Sequence, residues 1–153
     1  MTVNVLFVCF GNICRSPLAE FVFKDMVEKA GLQTKIYVES AGTIGYHIGD
    51  PVDRRSAEVM RKHGISCEGK RSRQIVQSDF DEFDYIIVMD EQNLDDVNEI
   101  CPPGKDCIIK LLLDYDGGGI VDDPYYTLDF DKAYYDIERG CRGLLKEIEG
   151  RLR

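Results

Sequence analysis

Short apolar runs, rich in β-branched residues, recur along the chain and are separated by longer segments of mixed polarity. Runs of this length and composition predict β-strands. Their continuous apolar character is typical of strands that are covered on both faces, as in a parallel sheet. The predicted strands span residues 3–8, 36–38, 85–89 and 108–113.

The segments between these strands carry apolar residues at helical spacing. In the first of them, Leu18 and Val22 recur on one face. Ser16 and Pro17 are typical of a helix start, where Ser can act as a cap, and Gly31 is typical of a helix end. Further helices are predicted at 51–62, 91–100 and 128–152, with an irregular loop at 114–126.

Strands that alternate with helices predict βαβ units and therefore an α/β fold. We expect one domain over residues 1–153, because this length is typical of a single domain with a substantial core. The expected architecture has three layers, with a four-stranded parallel sheet between helices on both faces.

Composition and charge exclude several classes of function. The net charge of −9 argues against general binding to nucleic acid, which needs a basic surface. No apolar run approaches the roughly 20 residues that span a bilayer, so no membrane association is expected. The N-terminus lacks a basic segment followed by an apolar one, which is the pattern of a signal peptide. We therefore expect a cytoplasmic protein.

The six cysteines indicate neither a disulfide framework nor a zinc site. A chain of this size does not need disulfides for stability, and it shows no secretory signal. Cys-x-x-Cys pairs are absent and there are only two histidines, which disfavours structural zinc. We expect the cysteines to be reduced.

The turn between the first strand and the first helix is the best-placed anion site in such a fold. Ligands bind beyond the carboxyl ends of the strands in open parallel sheets, and a helix N-terminus adds free N–H groups and a positive dipole end. We therefore predict a phosphate loop here, with Gly11 permitting a tight bend. Its residues are Cys9, Phe10, Gly11, Asn12, Ile13, Cys14, Arg15 and Ser16.

The residue types in this loop suit nucleophilic attack on phosphorus. Free cysteine has a pKa of about 8.5, and converging N–H donors and a guanidinium favour its thiolate. Arg15 offers a planar fork of donors that matches phosphate oxygens, and Ser16 is placed to donate its hydroxyl to the Cys9 sulfur. The segment 67–73 has the same Cys-to-Arg spacing, but Gln74 follows it and no strand precedes it.

An acidic motif after the fourth strand is suited to general acid catalysis. A carboxylic acid opposite the nucleophile can protonate a leaving group, which is typically worth about 10²–10⁴-fold in rate. Asp123 is the candidate, because Pro124 restrains it towards an extended conformation. Tyr125 and Tyr126 follow and are suited to contact an aromatic substrate.

These two motifs together resemble those of the low-molecular-weight protein tyrosine phosphatases. Residues 8–17 are similar to the family's phosphate loop, and residues 122–126 are similar to its general-acid loop. Segments 40–43, 49–53 and 88–90 also follow the family's pattern in order, so the resemblance covers essentially the whole chain. It implies hydrolysis of phosphotyrosine through a cysteinyl-phosphate, with no cofactor and no metal ion.

The resemblance also implies roles for individual residues. Cys9 would be the nucleophile, Arg15 and the loop amides would bind the phosphate, and Asp123 would act as acid and then as base. The residues implied to support the loop are Asn12, Ser16, Ser40 and Asp90. Those implied to line the substrate pocket are Ile13, Tyr46, Tyr125 and Tyr126.

The resemblance further implies regulation and partners. Cys14 would form a reversible disulfide with Cys9 and so protect the nucleophile from over-oxidation. Substrates would be phosphotyrosine-containing proteins, with a cognate tyrosine kinase as partner, and the protein would be a monomer or a weak dimer.

Two positions depart from the pattern: Tyr46 stands where members often have Trp, and Lys70 stands where many have a loop-supporting His.

Three other functions share parts of this pattern. Thioredoxin-coupled arsenate reductases need a cysteine at the end of the third strand, where this chain has Asp90, although Cys101 and Cys107 follow later. Protein-arginine phosphatases resemble the loop with Thr in place of Ile13. A non-catalytic phosphotyrosine-binding module is expected to lack the nucleophile or the acid. Assays with arsenate and thioredoxin, and with phosphoarginine peptides, separate these alternatives.

Overall fold

Parallel strands form the central sheet of the protein. The computed structural model describes residues 2–152, and the order of its strands across the sheet is β2-β1-β3-β4, with every neighbouring pair parallel. The strands are β1 (Val3–Cys9), β2 (Ile36–Gly42), β3 (Tyr85–Val88) and β4 (Ile108–Leu111). The predicted α/β fold with a four-stranded parallel sheet is confirmed.

Helices cover this sheet and connect its strands. They are α1 (Arg15–Lys29), α2 (Arg54–Lys62), α3 (Asp79–Glu82), α4 (Glu91–Ile100), α5 (Pro124–Thr127) and α6 (Phe130–Leu152). A 3-10 turn at Leu112–Tyr115 follows β4. Within residues 2–152, no helix combines the length and the hydrophobicity that crossing a membrane requires.

Successive side chains of β1 enter two different apolar cores. Phe7 belongs to the core that contains Phe23 of α1 and Ile137 of α6. Leu6 belongs to the other core, together with Val97 of α4. Because neighbouring residues of a strand point to opposite faces, the sheet is covered on both sides, as the continuous apolar runs predicted.

The start of α1 differs from the prediction in a way that matters for the site. α1 begins at Arg15 with Cys14 as its N-cap residue, and no side chain caps it. The Ser16 hydroxyl lies instead 3.0 Å from Cys9 Sγ. The predicted capping role of Ser16 is therefore wrong, because its hydroxyl is used inside the phosphate loop.

The start of α2 is also later than predicted. The sequence predicts a helix from residue 51, but α2 begins at Arg54. The side chain of Asp53 caps it by accepting a hydrogen bond from the Arg55 N–H. Pro51 forms an isolated bridge with Arg71 and belongs to the preceding loop.

The chain between β4 and α6 has more regular structure than predicted. β4 ends at residue 111, because residues 112–115 form the 3-10 turn. The predicted irregular loop contains α5, and α6 begins two residues late because Leu128 ends α5 with a φ of 63°. The single turn α3 is too short for its sequence to show a helical period.

Close packing explains the glycines within α6, which the sequence marks as weak helix positions. A Cβ on Gly143 would lie 2.0 Å from the carbonyl oxygen of Tyr115, and one on Gly140 would lie 2.6 Å from Leu112 Cγ. The glycines therefore let α6 lie directly against the 3-10 turn. That turn begins the connection that leads to Asp123.

The carboxyl ends of the central strands bring the predicted motifs to one edge of the sheet. Cys9 ends β1, and the neighbouring strand β3 is followed by Asp90, with Val8 paired to Val88. The chain after β4 returns to this edge, where the Val121 N–H donates to the carbonyl of residue 89 at 2.9 Å. The acid motif is thereby placed beside the phosphate loop.

Candidate active site

The phosphate loop turns its carbonyl groups outward. The carbonyl oxygens of Cys9, Phe10, Gly11 and Ile13 accept hydrogen bonds from residues outside the loop. The C=O and the following N–H point in opposite directions across a trans peptide, so the next amides point towards the centre of the loop. The Asn12 N–H does so at 3.3 Å from Cys9 Sγ. The loop is therefore shaped to surround an anion.

The strained residue of the loop is Asn12. Its φ is 57°, in the left-handed region that Asn tolerates better than most residues. The φ of Gly11 is not positive, so the expected role of Gly11 in permitting the bend is wrong. A Cβ on Gly11 would lie 2.9 Å from His47 Cδ2, so this glycine makes room for the His47 ring against the loop.

The side chain of Asn12 holds this backbone conformation in place. Its Nδ2 donates to Ser16 Oγ at 2.8 Å and to Ser40 Oγ at 2.9 Å. Its Oδ1 accepts from the Arg73 N–H at 3.0 Å. Since Asn12 is buried, these three bonds satisfy its amide and offset the cost of the unusual φ.

The sulfur of Cys9 lies at the base of the loop, almost inaccessible to solvent. Ser16 Oγ lies 3.0 Å from Sγ, and the Asn12 N–H points at it from 3.3 Å. α1 begins at Arg15, so the positive end of that helix also faces this region. All of these groups are suited to stabilise negative charge at the sulfur or on a bound phosphate.

The guanidinium of Arg15 is buried between two carboxylates. Nη1 donates to Asp90 Oδ2 at 2.7 Å and to the Val121 carbonyl at 2.9 Å, and Nη2 lies 3.5 Å from Asp123 Oδ2. Burial alone would lower the pKa of Arg15, but the Cys9 thiolate, Asp90 and Asp123 together raise it. Arg15 therefore stays cationic, and Asp90 fixes its orientation.

Asp123 is held by a single turn of helix. Its Oδ1 accepts from the Tyr125 N–H at 3.1 Å, so Asp123 is the N-cap of α5, and Pro124 occupies the first helical position. Its other oxygen faces Arg15. The acid is thus oriented by its own loop and points at the guanidinium of the phosphate loop.

These groups line one cavity of about 310 Å³. Cys9, Arg15 and Asp123 all contribute to its surface. The other residues that line it are Phe10, Gly11, Ile13, Cys14, Tyr46, His47, Tyr125 and Tyr126. Of the predicted site residues, Asn12, Ser16, Ser40 and Asp90 lie behind this surface. A wider groove of about 600 Å³, lined by Ala57 and Arg61 among others, contains none of these groups.

The sequence matches the profile of one protein family. That profile, described as "Low molecular weight phosphotyrosine protein phosphatase", covers residues 4–152. The chain belongs to the low molecular weight phosphotyrosine protein phosphatase family. The family that its two motifs predicted is therefore confirmed.

Relatives in this family are similar over nearly their whole length. The "Low molecular weight protein-tyrosine-phosphatase YfkJ" of Bacillus subtilis is 44% identical over 150 residues, which is 96% of both chains. Its crystal structure has a TM-score of 0.96 at 42% identity and covers 100% of this chain and 98% of that one. The "Low molecular weight phosphotyrosine protein phosphatase" of Homo sapiens is 45% identical over 152 residues, 95% of this chain and 96% of its own.

A third relative carries a different activity in its name. The structure described as "DARP, drosophila arginine phosphatase" has a TM-score of 0.88 at 36% identity. It covers 94% of this chain and 96% of its own. Proteins with this fold are therefore named after different phosphorylated residues. The substrate class of this protein has to be inferred from its own pocket.

Glu20 belongs to the surroundings of the phosphate loop although the sequence did not single it out. It is buried on α1, four residues after Ser16, and its Oε1 accepts from Ser40 Oγ at 2.5 Å. One signal in the sequence was available: an acid stands here among the apolar positions Leu18, Ala19 and Val22. Such a buried acid on a helix needs polar partners from elsewhere in the fold.

A support segment, residues 70–74, braces the loop from the side. The Ser72 hydroxyl donates to the Gly11 carbonyl at 2.9 Å, and the Arg73 N–H bonds the Asn12 side chain. Arg73 is itself held by the buried carboxylate of Asp79, at 3.0 and 3.1 Å. This segment has neither helical nor strand periodicity, so only the family resemblance, which places a loop-supporting residue at position 70, pointed to its role.

Cys14 lies in the same cavity wall as Cys9, and both thiols are free. Burial, Asp53 and Cys9 raise the pKa of Cys14 to about 12. Cys14 is therefore a protonated thiol at neutral pH. The implied disulfide between the two cysteines stays a prediction.

Proposed function

We propose that the protein hydrolyses phosphotyrosine in proteins, with Cys9 as nucleophile, Arg15 as phosphate ligand and Asp123 as general acid and base. The single observation that supports this best is that all three side chains face one cavity enclosed by the phosphate loop. Family membership over residues 4–152 supports the same activity.

In the first step, the Cys9 thiolate attacks phosphorus. An S–P bond forms, the bond from phosphorus to the tyrosine oxygen breaks, and Asp123 donates its proton to the leaving oxygen. Arg15 and the inward-pointing amides of the loop bind the equatorial oxygens, whose charge is spread in the transition state. The burial of Arg15 strengthens this interaction, because little water competes for the guanidinium.

In the second step, water hydrolyses the cysteinyl-phosphate. Asp123, now a carboxylate, takes a proton from the water as its oxygen attacks phosphorus. The S–P bond breaks, inorganic phosphate forms, and Cys9 leaves as a thiolate. Ser16 is positioned to donate to the sulfur as this negative charge returns.

The walls of the cavity favour an aryl phosphate. Three tyrosines form an aromatic rim (Tyr46, Tyr125 and Tyr126), which provides ring surfaces for a phenyl group. Tyr125 and Tyr126 meet edge to face, with centroids 5.2 Å apart. Ile13 adds an apolar wall, which suits a phenyl ring better than the guanidinium of phosphoarginine.

The proposal extends to partners and location. The substrates are phosphotyrosine-containing proteins, the partner that produces them is a cognate tyrosine kinase, and the protein acts in the cytoplasm as a monomer or a weak dimer. A pull-down with Cys9→Ser, which keeps the loop but lacks the nucleophile, identifies the substrates. The control is Arg15→Ala, which lacks the phosphate ligand. If this variant captures the same proteins, they do not bind through this site.

The decisive experiment compares three substrates and two variants. We expect wild type to hydrolyse p-nitrophenyl phosphate and a phosphotyrosine peptide, and Cys9→Ser to hydrolyse neither. Asp123→Ala should lower kcat on the peptide by about 10²–10³-fold and on p-nitrophenyl phosphate by less, because nitrophenolate needs little protonation. Residual turnover by Cys9→Ser overturns the mechanism, and faster hydrolysis of a phosphoarginine peptide overturns the substrate class.

A further inference from the structure

Two cysteines outside the phosphate loop take no part in the proposed mechanism. Cys101 is the residue that ends α4, and Cys107 directly precedes β4. Both thiols are free and partly buried, and both pack against the core that contains Val97. In the sequence these cysteines stood out only as candidates for the relay of an arsenate reductase.

The register of the sheet separates this pair from the nucleophile. Ile108, the first residue of β4, is level with Tyr85 of β3, which is level with Val5 of β1. Cys107 therefore lies five residues from the level of Cys9, which is roughly 16 Å along the strands. It also lies two strands away, which adds about 10 Å across the sheet. The pair is thus at the opposite edge of the sheet, out of reach of Cys9.

A tight turn folds the connection between the two cysteines back on itself. Gly104 lies in this turn with a φ of 81°, which other residues adopt only at a cost. Both ends of the connection are fixed to the fold. The Cys101 N–H donates to the Val97 carbonyl at 3.0 Å. The Ile108 N–H donates to the Asp84 carbonyl at 2.8 Å. The turn therefore holds the two cysteines opposite each other.

The sulfur atoms of the two residues are neighbours. Cys101 Sγ is turned into the connection, where it donates to the Pro102 carbonyl at 3.5 Å. Burial, and then the charge and the hydrogen bond of Cys101, raise the pKa of the Cys107 thiol. Lys105 lies near both sulfurs, because Asp81 and then the two cysteines raise the pKa of its ammonium. That ammonium in turn favours the thiolate form of either cysteine.

Cys107 opens into a cavity of about 330 Å³ that is separate from the catalytic one. Cys101 does not line this cavity, so Cys107 is the thiol that an incoming reagent meets first. The charged residues that line it are Asp81, Asp84, Lys105, Asp106 and Arg151. Walls of both signs suit a small polar reagent.

We propose that Cys101 and Cys107 form a second reactive site, which reduces small polar disulfides and closes into an intramolecular disulfide. In the first step, the Cys107 thiolate attacks one sulfur of the reagent, and the other half leaves as a thiolate that takes up a proton. In the second step, the Cys101 thiolate attacks the Cys107 sulfur, and the second half of the reagent leaves in the same way. One disulfide is thereby reduced to two thiols while the two cysteines are oxidised to one disulfide.

This site goes beyond the proposed phosphatase activity and does not depend on it. The reaction takes place at the opposite edge of the sheet and uses none of the residues of the phosphate loop. The reduced variants Cys101→Ser and Cys107→Ser should therefore hydrolyse p-nitrophenyl phosphate at the wild-type rate.

Trypsin gives the test a direct readout, because it cuts between the two cysteines at Lys105. Cys101 then lies in the peptide 74–105 and Cys107 in the peptide 106–110. The reduced full chain is incubated with oxidised glutathione at mildly alkaline pH, the remaining thiols are alkylated, and the peptides are analysed by mass spectrometry. We expect the two peptides to be joined in wild type, and dithiothreitol to separate them.

Two variants distinguish the roles of the cysteines. Cys101→Ser lacks the thiol that resolves the mixed disulfide, so about one glutathione per chain should remain on Cys107. Cys107→Ser lacks the thiol at the cavity, so Cys101 should take up glutathione about tenfold more slowly than Cys107 does. The matched control is Cys67→Ser, which removes another partly buried free cysteine and should leave the joined peptides unchanged.

Three outcomes overturn the proposal. Separate glutathiones on the two wild-type peptides mean that the sulfurs do not meet. Two unmodified peptides in wild type, under conditions in which Cys67 is modified, mean that the pair is not reactive. Equal uptake by Cys101→Ser and Cys107→Ser means that the cavity does not select Cys107. The first two outcomes need wild type alone, so poor folding of a variant does not leave the proposal undecided. Failure of the reduced wild type to hydrolyse p-nitrophenyl phosphate overturns the proposed function instead.

Discussion

The two sides of the catalytic cavity are built in opposite ways. On one side, the nucleophile and the polar side chains of the phosphate loop are almost inaccessible to solvent: Cys9 is 3% exposed, Asn12 1% and Arg15 2%. On the other side, the aromatic rim is open, with Tyr46 84% and Tyr126 80% exposed. The side chains of Asn12 and Arg15 are each fixed by several hydrogen bonds. In the rim, Tyr125 and Tyr126 pack on each other and Tyr46 packs on His47.

This difference matches what each side has to do. The loop must stabilise charge in the transition state, and fixed donors in a place with little water do this best. The rim meets the variable part of a substrate, where shallow ring contacts suit many sequences. Substitutions in the loop should therefore lower kcat strongly, and substitutions in the rim should raise KM modestly.

The strongest test of the loop is Arg15→Lys, which keeps the charge and removes the planar donor fork. We expect kcat/KM on p-nitrophenyl phosphate to fall about 10³-fold, because an ammonium cannot hold Asp90 and two phosphate oxygens together. Circular dichroism should show the fold intact. A loss smaller than about tenfold would mean that charge alone, without geometry, accounts for the role of this residue.

The second test asks whether the shape of the loop depends on contact with β2. A Cβ on Gly42 would lie 2.8 Å from the Phe10 carbonyl oxygen, so Gly42→Ala must displace the loop. A shift of about 1 Å at a catalytic group can cost about 10²-fold, and we expect a loss of that order in kcat. The control is Gly150→Ala, where a Cβ meets nothing within 4 Å. Equal activity of the two variants would show that the loop tolerates displacement.

The third test uses the raised pKa of Cys14, which is about 12. If Cys14 closes a disulfide on oxidised Cys9, its thiolate is the attacking group. A thiol with so high a pKa gains thiolate about tenfold per pH unit below that pKa, so closure after peroxide treatment should speed up by about that factor from pH 7 to 8 and again from 8 to 9. The fraction of activity that dithiothreitol restores after peroxide treatment, compared between these pH values, measures this closure. Equal recovery by Cys14→Ser rules this disulfide out.

The smallest effect is expected at the rim. Tyr125→Ala should raise KM for a phosphotyrosine peptide about threefold to tenfold with kcat little changed, since one aromatic contact is lost. Tyr135→Ala is the matched control, because Tyr135 is an equally exposed tyrosine on α6 that does not line the cavity. A large fall in kcat for Tyr125→Ala would place the rim with the loop and remove the contrast between them.

The fold was predictable because its signals are local. The apolar runs marked all four strands, and α4 was predicted at its observed bounds. Errors fell where contacts between distant segments decide. α2 starts at Arg54 and not at residue 51, because Pro51 pairs with Arg71 in the support segment. The helical pattern of the sequence contains no information on this long-range pairing.

The candidate site also has one part that local sequence signals indicate and another that depends on contacts between distant segments. Cys9, Arg15 and Ser16 stand in one short motif between a predicted strand and a predicted helix, and Asp123 stands beside Pro124 in another. This context and the family resemblance indicated them together. The sequence by itself thus determined the family, the sheet and the candidates for the reactive groups. These depend on residue types at fixed separations along the chain, which folding does not change.

Only the tertiary structure decided which contacts hold those groups, although the family resemblance implied some of the residues that make them. Asp90 reaches Arg15 from 75 residues away, and Lys70 reaches Glu20 from another part of the fold. The left-handed φ belongs to Asn12 and not to Gly11, because bonds from Ser40 and Arg73 secure it there. Such contacts depend on the register between strands and on the packing of a helix against the sheet, and no local pattern in the sequence records either.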